Sequence, residues 1–235
     1  MLTLRLSSAR GRTQIGWLDS HHTFSFGEYQ DSAFMGFRSL RVLNDDIVAP
    51  GQGFGTHGHR DMEIISLVLE GALEHRDSLG HGAVLRPGEV QVMSAGSGIR
   101  HSEFNGVKDA PTHFLQMWIL PERQAITPNY GQKDFPESAR LNRFIRVAGR
   151  DDLSRDGALP IAQDADLFVT TLEGGRTADC TLRPTRSAWV HVATGHVLVN
   201  GIALHAGDGA AITDEARIQV TGVAPKSELV VFDLA

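Results

Sequence analysis

Residues 197–208 read Val197-Leu198-Val199-Asn200-Gly201-Ile202-Ala203-Leu204-His205-Ala206-Gly207-Asp208. Two short apolar runs flank Asn-Gly, the dipeptide whose residues both tolerate the positive φ of a type I′ turn, so the stretch predicts a two-residue β-hairpin. An earlier stretch has the same punctuation: Gly82-Ala83-Val84-Leu85-Arg86-Pro87-Gly88-Glu89, followed by Met93 as the later one is followed by Ile212. Glycine, leucine, glycine, an acid and a large apolar residue recur 119 positions apart. A fixed offset of this kind indicates a duplicated structural unit.

The surrounding chain agrees. Val190-His191-Val192-Ala193 and Ile218-Gln219-Val220 alternate as strands with one buried face. Ile64-Ile65-Ser66-Leu67-Val68-Leu69 and Leu229-Val230-Val231-Phe232 are nearly continuous apolar runs, as in strands buried on both sides. Glycine turns recur at intervals of about ten residues, and helical periodicity is almost absent, which predicts an all-β sandwich or barrel. The stretch from Pro121 to Asn142, with Pro128 and Pro136, lacks strand alternation and reads as a linker between two β modules. Arg150-Asp151-Asp152 reads as a solvated charged face or a helix start.

The chain has 235 residues, 41% hydrophobic and 21% charged, a balance that excludes intrinsic disorder. Its net charge of −6 and the absence of basic runs argue against a nucleic acid or anionic membrane as partner. The single cysteine, Cys180, forms no intramolecular disulfide and has no cationic neighbour in sequence, so it is expected to be an inert thiol in a reducing compartment. Met1-Leu2-Thr3-Leu4-Arg5-Leu6 is charged too early for a signal peptide, and no run of about 18 apolar residues exists, so the expected location is the cytoplasm.

Eleven histidines carry the chemical information. His57-Gly58-His59 and His101-Ser102-Glu103 each place two ligand groups at i and i+2, which share one face of a strand. Two such pairs on neighbouring strands converge on one point. Three imidazoles and a carboxylate suit one divalent transition metal, Fe(II) first, with nickel, cobalt, copper or zinc as alternatives. Four ligands leave two octahedral positions for water, dioxygen or a substrate oxygen. Of the remaining histidines, His191 and His196 lack a ligand partner at i+2, His205 is a turn residue, His75 and His81 lie in a polar hairpin, His113 alternates with Phe114, and the adjacent His21 and His22 point opposite ways if extended; all are expected to be structural or at the surface. Residues 173–190 and the stretch from Gly207 to Val220 contain no histidine, so the second module is expected to hold no metal.

The motifs resemble those of a known family. Gly51, His57-x-His59, Glu63 and Gly71 look like the first cupin motif, and Gly88, Gly96, His101 and Asn105 look like the second. More narrowly, His57-Gly58-His59-Arg60-Asp61-Met62-Glu63 and the run from Gly88 to Glu103, ending Ile99-Arg100-His101-Ser102-Glu103, resemble the pirin family of bicupins and its bacterial quercetin 2,3-dioxygenase group. Trp17-Leu18-Asp19-Ser20, His22-Thr23-Phe24-Ser25-Phe26, Asn44-Asp45-Asp46, Ile126-Thr127-Pro128 and Phe232-Asp233-Leu234 extend the resemblance along the chain. It implies two cupin barrels, double-stranded β-helices of jelly-roll type, packed together: residues 1–125 as a cupin carrying the metal, 126–142 as a linker and 143–235 as a cupin without one. The pirin pattern carries the ligand role to His57, His59, His101 and Glu103; Glu63 stands where ordinary cupins take their glutamate ligand, and otherwise is expected to serve as a hydrogen-bonding group behind the ligands or at a turn. Thr56 and Gly58 stand where the family often has proline, which alters the pocket but not the ligands.

Two functions follow from the resemblance. One is a dioxygenase that opens the central ring of a flavonol such as quercetin with dioxygen, with Glu103 as both ligand and catalytic base and Phe24, Phe26, Met35, Phe37 and Met62 as candidate walls. The alternative is a non-enzymatic metal or redox sensor acting through a protein partner. Both require the same four ligands.

Overall fold

The computed structural model of the chain describes residues 1–150 and 156–235. Asn200 and Gly201 adopt φ of 47° and 82° at the expected hairpin, and Val197 pairs with Leu204 across it. The residues fall into two units, 11–134 with 159–163, and 1–10 with 135–158 and 164–235.

After β1 (Leu2–Arg5), the first unit contains β2 (Gly11–Ile15), β3 (Leu18–His22), β4 (Leu40–Val48), β5 (Gly53–His59), β6 (Glu63–Glu70), β7 (Leu73–Asp77), β8 (Gly82–Leu85), β9 (Glu89–Ser94), β10 (Ile99–Asn105), β11 (Thr112–Ile119) and β12 (Asn129–Asp134). They form two antiparallel sheets, ordered β12-β9-β6-β11-β4-β3-β2 and β5-β10-β7-β8. The one described α-helix, α1 (Glu137–Arg140), is followed by β13 (Ile145–Arg150), and β14 (Leu159–Ile161) lies within the first unit's residues. The second unit continues with β15 (Ala165–Glu173), β16 (Thr177–Thr181), β17 (Ser187–Thr194), β18 (His196–Val199), β19 (Ile202–His205), β20 (Gly209–Ile212), β21 (Arg217–Gly222) and β22 (Lys226–Leu234). Its sheets run β1-β20-β17-β22-β15-β13 and β16-β21-β18-β19. The cores β9-β6-β11-β4 and β20-β17-β22-β15 have one topology, as do the two four-stranded sheets. The fold is therefore all-β, a cupin repeated, as the recurring hairpin predicts.

The acid of the repeat has one job in both copies. Glu89 accepts the backbone N–H of Arg86 (2.7 Å), and Asp208, 119 positions on, accepts that of His205 (2.9 Å). Each closes the turn from the edge strand of a four-stranded sheet, β8 or β19, to a strand of the larger sheet, β9 or β20.

Two segments depart from the expected layout. The sequence predicts a linker over residues 126–142, but β12 within them pairs with β9 from Asn129↔Ser94 to Asp134↔Glu89. Its sequence, Asn-Tyr-Gly-Gln-Lys-Asp, is polar because the strand lies at a sheet edge, where one flank faces water. Residues 1–10 belong to the second unit: β1 pairs with β20, Leu2 opposite Ile212, and the Ser7 N–H donates to Asp208 Oδ1 (2.7 Å). A pairing between strands about two hundred residues apart leaves no local pattern to read. Of the charged segment Arg150-Asp151-Asp152, the two aspartates lie outside the described residues. No described helix is long and apolar enough to cross a membrane.

The matched ladders also show what the second unit lost. The register places Cys180, Leu182, Ile218 and Val220 where the first unit has His57, His59, His101 and Glu103. Likewise Val190, Val199, Ala210 and Val231 stand where it has Ser66, His75, Gln91 and Gln116. All eight replacements belong to one buried apolar cluster. Cys180 is 2% exposed within it, and burial pushes its thiol up to about 12, so the thiol is inert. Burying this cluster contributes roughly 1.5–3 kcal/mol for each large aliphatic side chain.

Candidate metal centre

The two ligand-bearing strands lie side by side. β10 pairs with β5 so that His101 sits directly opposite His57, and Ile99 opposite His59. The register then slips: Glu103 faces Phe54, which gives β5 one extra residue between the two pairs. Such a bulge re-aims side chains locally. Here it brings the Gly55 carbonyl within 2.8 Å of His57 Nδ1. The strands approach closely because Gly53 has no side chain; a Cβ there would collide with the Glu103 carbonyl oxygen and Phe104 Cα.

The i, i+2 rule holds on both strands. The His57, His59 and His101 rings cluster with centroids 4.5–4.8 Å apart, and their nearest nitrogens lie within 4.8 Å of one another. His101 (1% exposed) and Glu103 (1%) lie inside the barrel, while His57 and His59 are half-buried at its mouth. Glu103 Oε2 lies 4.0 Å from His101 Nε2. The four expected residues thus form two overlapping groups joined by His101: the three histidines, and His101 with Glu103 and His75.

Protonation favours a cation. Burial holds His59 at about 4, helped by the charge of His57, and His101 still lower, so both rings are neutral near pH 7. His57 Nδ1 donates to Gly55, and its Nε2 faces His101 Nε2 at 3.0 Å. Nitrogens bound about 2.1 Å from one ion at right angles would be about 3.0 Å apart, so the spacing fits neighbouring ligands of a shared transition metal. Burial pushes the Glu103 carboxyl up to about 7, against hydrogen bonds from Gln116 Nε2 to Oε2 (2.7 Å) and from Ser66 Oγ to Oε1 (3.4 Å). A cation would stabilise its ionised form.

Trp118 closes one side. Its ring stands edge-on to His59 at 4.9 Å and against Phe26 at 5.4 Å, and its Nε1 donates to Gln116 Oε1 (3.2 Å), which steadies the amide that grips Glu103. Of the apolar residues expected as walls, Phe26 reaches the site through Trp118. Met62 packs on Ile64, Met93, Ala95 and Ile99, Phe24 is buried, and Met35 is exposed. An open cavity of about 370 Å³ reaches His59 between Arg60, Ser78, Ile99 and Arg100. That volume is at the lower end of small-molecule sites.

Glu63 stays outside both ligand groups. It is buried and accepts the Ser94 hydroxyl at 2.6 Å, a structural bond. His113 bonds Asp45 (2.6 Å) and His22 bonds Asn44 and Thr13 (each 2.9 Å), as structural histidines. His75 differs from a surface histidine: it is fully buried against His101. The alternation Leu73, His75, Asp77 on β7 points it inward, a pattern visible in the sequence once the strand is placed. Asp46 is another interior carboxyl, pushed up to about 7 by burial despite a hydrogen bond with Ser20.

Comparison with known proteins is consistent along the chain. The family described as Pirin matches residues 3–119, and the Quercetinase C-terminal cupin domain matches residues 147–234. The chain is similar to a protein of Escherichia coli K12 named quercetin 2,3-dioxygenase, 44% identical over 100% of this chain and 99% of that protein. It is equally similar, at 44% identity, to a pirin-like protein of Caulobacter vibrioides, with 96% of each chain covered. The crystal structure of the bacterial pirin YhhW from Escherichia coli in complex with nickel(II) superposes with a TM-score of 0.92 at 44% identity, covering 100% of this chain and 99% of that one.

Proposed function

The chain belongs to the pirin family, and on that premise we propose that it is a metal-dependent dioxygenase that opens the central ring of flavonols such as quercetin. The ligands are His57, His59, His101 and Glu103, holding one divalent transition metal, with Fe(II) favoured and nickel, cobalt, copper or zinc as alternatives. The observation that carries the reading is the meeting of three imidazoles, with those of His59 and His101 neutral, and the buried Glu103 carboxyl through His101. The bound metal would act as a Lewis acid toward the flavonol oxygens and dioxygen.

The chain's own residues account for the rest. Glu103, ionised beside the metal, accepts the proton of the flavonol 3-hydroxyl and leaves an electron-rich enolate for reaction with dioxygen. Gln116 holds Oε2 of that carboxylate in place through the transfer. Trp118, with Phe26 packed edge-on against it, supplies an apolar wall beside His59 for the ring system and keeps water away from it.

The test is oxygen uptake by protein loaded with one equivalent of each candidate metal, with quercetin as substrate and labelled dioxygen. Equal consumption of quercetin and oxygen, with both oxygen atoms carried into the products, supports the dioxygenase. Fully metallated protein that consumes no oxygen with any of these metals refutes it and leaves the sensor acting through a protein partner.

A further inference from the structure

The centre is backed by a buried chain of polar groups on β7 and its turn. His101 presents Nε2 to the site only if its proton sits on Nδ1. That nitrogen faces His75 Nδ1 at 3.5 Å. His75 Nδ1 can accept only if the His75 proton sits on Nε2, and Nε2 faces Asp77 Oδ2 at 3.3 Å. Gln91 Nε2 also turns toward His75 Nδ1, at 3.2 Å, and shares its single lone pair with His101. The side chains of His75 and Asp77 are fully buried. Asp77 is fixed in turn: Oδ1 accepts the N–H groups of Leu79 (2.9 Å) and His81 (3.0 Å), and Oδ2 meets His81 Nδ1 at 3.0 Å. The Tyr130 ring stacks on both His75 and His81.

We propose that Asp77 and His75 are positioning residues: the buried carboxylate sets the tautomer of His75, and His75 sets the tautomer and ring orientation of the metal ligand His101. The proposal rests on the metal reading above. Carboxylate or carbonyl partners behind metal-bound histidines are a general device, and their loss typically costs 10–100-fold in metal affinity. Here the device has two steps, and a neutral histidine stands between carboxylate and ligand. The second unit gives an internal comparison. Where its ligands are replaced by Cys180, Leu182, Ile218 and Val220, the places of His75 and Asp77 are taken by Val199 and Gly201, so ligands and pair are absent together.

Asp77→Asn separates this role from turn capping. The amide keeps an oxygen for the Leu79 and His81 N–H groups but offers an N–H to His75 Nε2. His75 must then carry its proton on Nδ1, against the Nδ1–H of His101. His75→Phe keeps the Tyr130 stack and removes the acceptor. The experiment titrates Co(II) into wild type, Asp77→Asn and His75→Phe, reading affinity by calorimetry and ligand geometry from the visible Co(II) bands. Thermal unfolding of the metal-free proteins runs alongside. Expected are affinities 10–100-fold weaker in both variants, with shifted bands and an unfolding temperature for Asp77→Asn close to that of wild type. Unchanged affinity and bands in both variants overturn the proposal and leave the metal site standing; a wild type that binds no Co(II) overturns both. Histidine 15N spectra of the zinc-loaded wild type read the tautomers without any variant. Protons on His75 Nε2 and His101 Nδ1 support the chain, and a proton on His75 Nδ1 refutes it.

Discussion

Shortening Glu103 to aspartate separates its two assigned roles. The substitution removes one methylene and draws the carboxylate back by about one C–C bond, ~1.5 Å. Gln116 Nε2 now sits 2.7 Å from Oε2; after the substitution the gap becomes about 4 Å, beyond hydrogen-bond range. That forfeits a charge-assisted bond of about 1.5–3 kcal/mol and frees the carboxylate to rotate. The buried methylene costs about 0.8 kcal/mol more, too little to unfold a barrel of this size. Three imidazoles remain, so the metal stays measurable. Proton transfer is less tolerant, because a base must lie within about 2.6–3.2 Å of the atom it deprotonates. Quercetin turnover in Glu103→Asp should fall by on the order of a hundredfold or more, the scale of general base catalysis. Metal content and oxygen uptake are measured on one preparation. Wild-type turnover in a fully metallated Glu103→Asp would refute the base role.

Metal binding should weaken as pH falls. The metal-free Glu103 carboxyl sits at about 7 and must release its proton to bind, while burial keeps His59 at about 4 and His101 lower; apparent affinity should therefore drop by up to tenfold per unit below about pH 7. Calorimetry with Ni(II) at pH 6 in two buffers should show at least about one proton released per ion, the Glu103 proton. Cys180 should resist iodoacetamide in the folded protein and react after denaturation, since its thiol is pushed up to about 12 in an apolar cluster; rapid alkylation of native protein would contradict the packing. Val220→Glu restores a carboxylate at the place of Glu103, but among Cys180, Val190, Val199 and Ile218 it has no partner. It should cost at least about 3 kcal/mol in denaturant unfolding and create no metal site.

Much of the fold was readable because it is written in local signals. Asn200-Gly201 fixes a hairpin by φ alone, and the acids Glu89 and Asp208 recur because each closes the same turn. The ligand pairs were readable because a strand repeats every two residues, so His57 with His59 and His101 with Glu103 need no long-range knowledge to share a face. What the sequence hid is non-local. β1 pairs with a strand about two hundred residues away, and β12 is an edge strand whose polar sequence resembles a linker. His75 looked unremarkable because its partners, His101 and Gln91, come from other strands and only the register brings them together. Trp118 and Gln116 were missed for the same reason: nothing near them in sequence marks a site, yet through the ladder they support Glu103 and wall His59.

The central claim is one metal at one site in the first unit. Anomalous diffraction from a crystal soaked in Ni(II), collected on both sides of the metal absorption edge, tests it directly. The account predicts a single strong peak per chain, bounded by the nitrogens of His57, His59 and His101 and a carboxylate oxygen of Glu103. A peak held by Glu63, a peak among His191, His196 and His205 in the second unit, or no peak at the three histidines would contradict it.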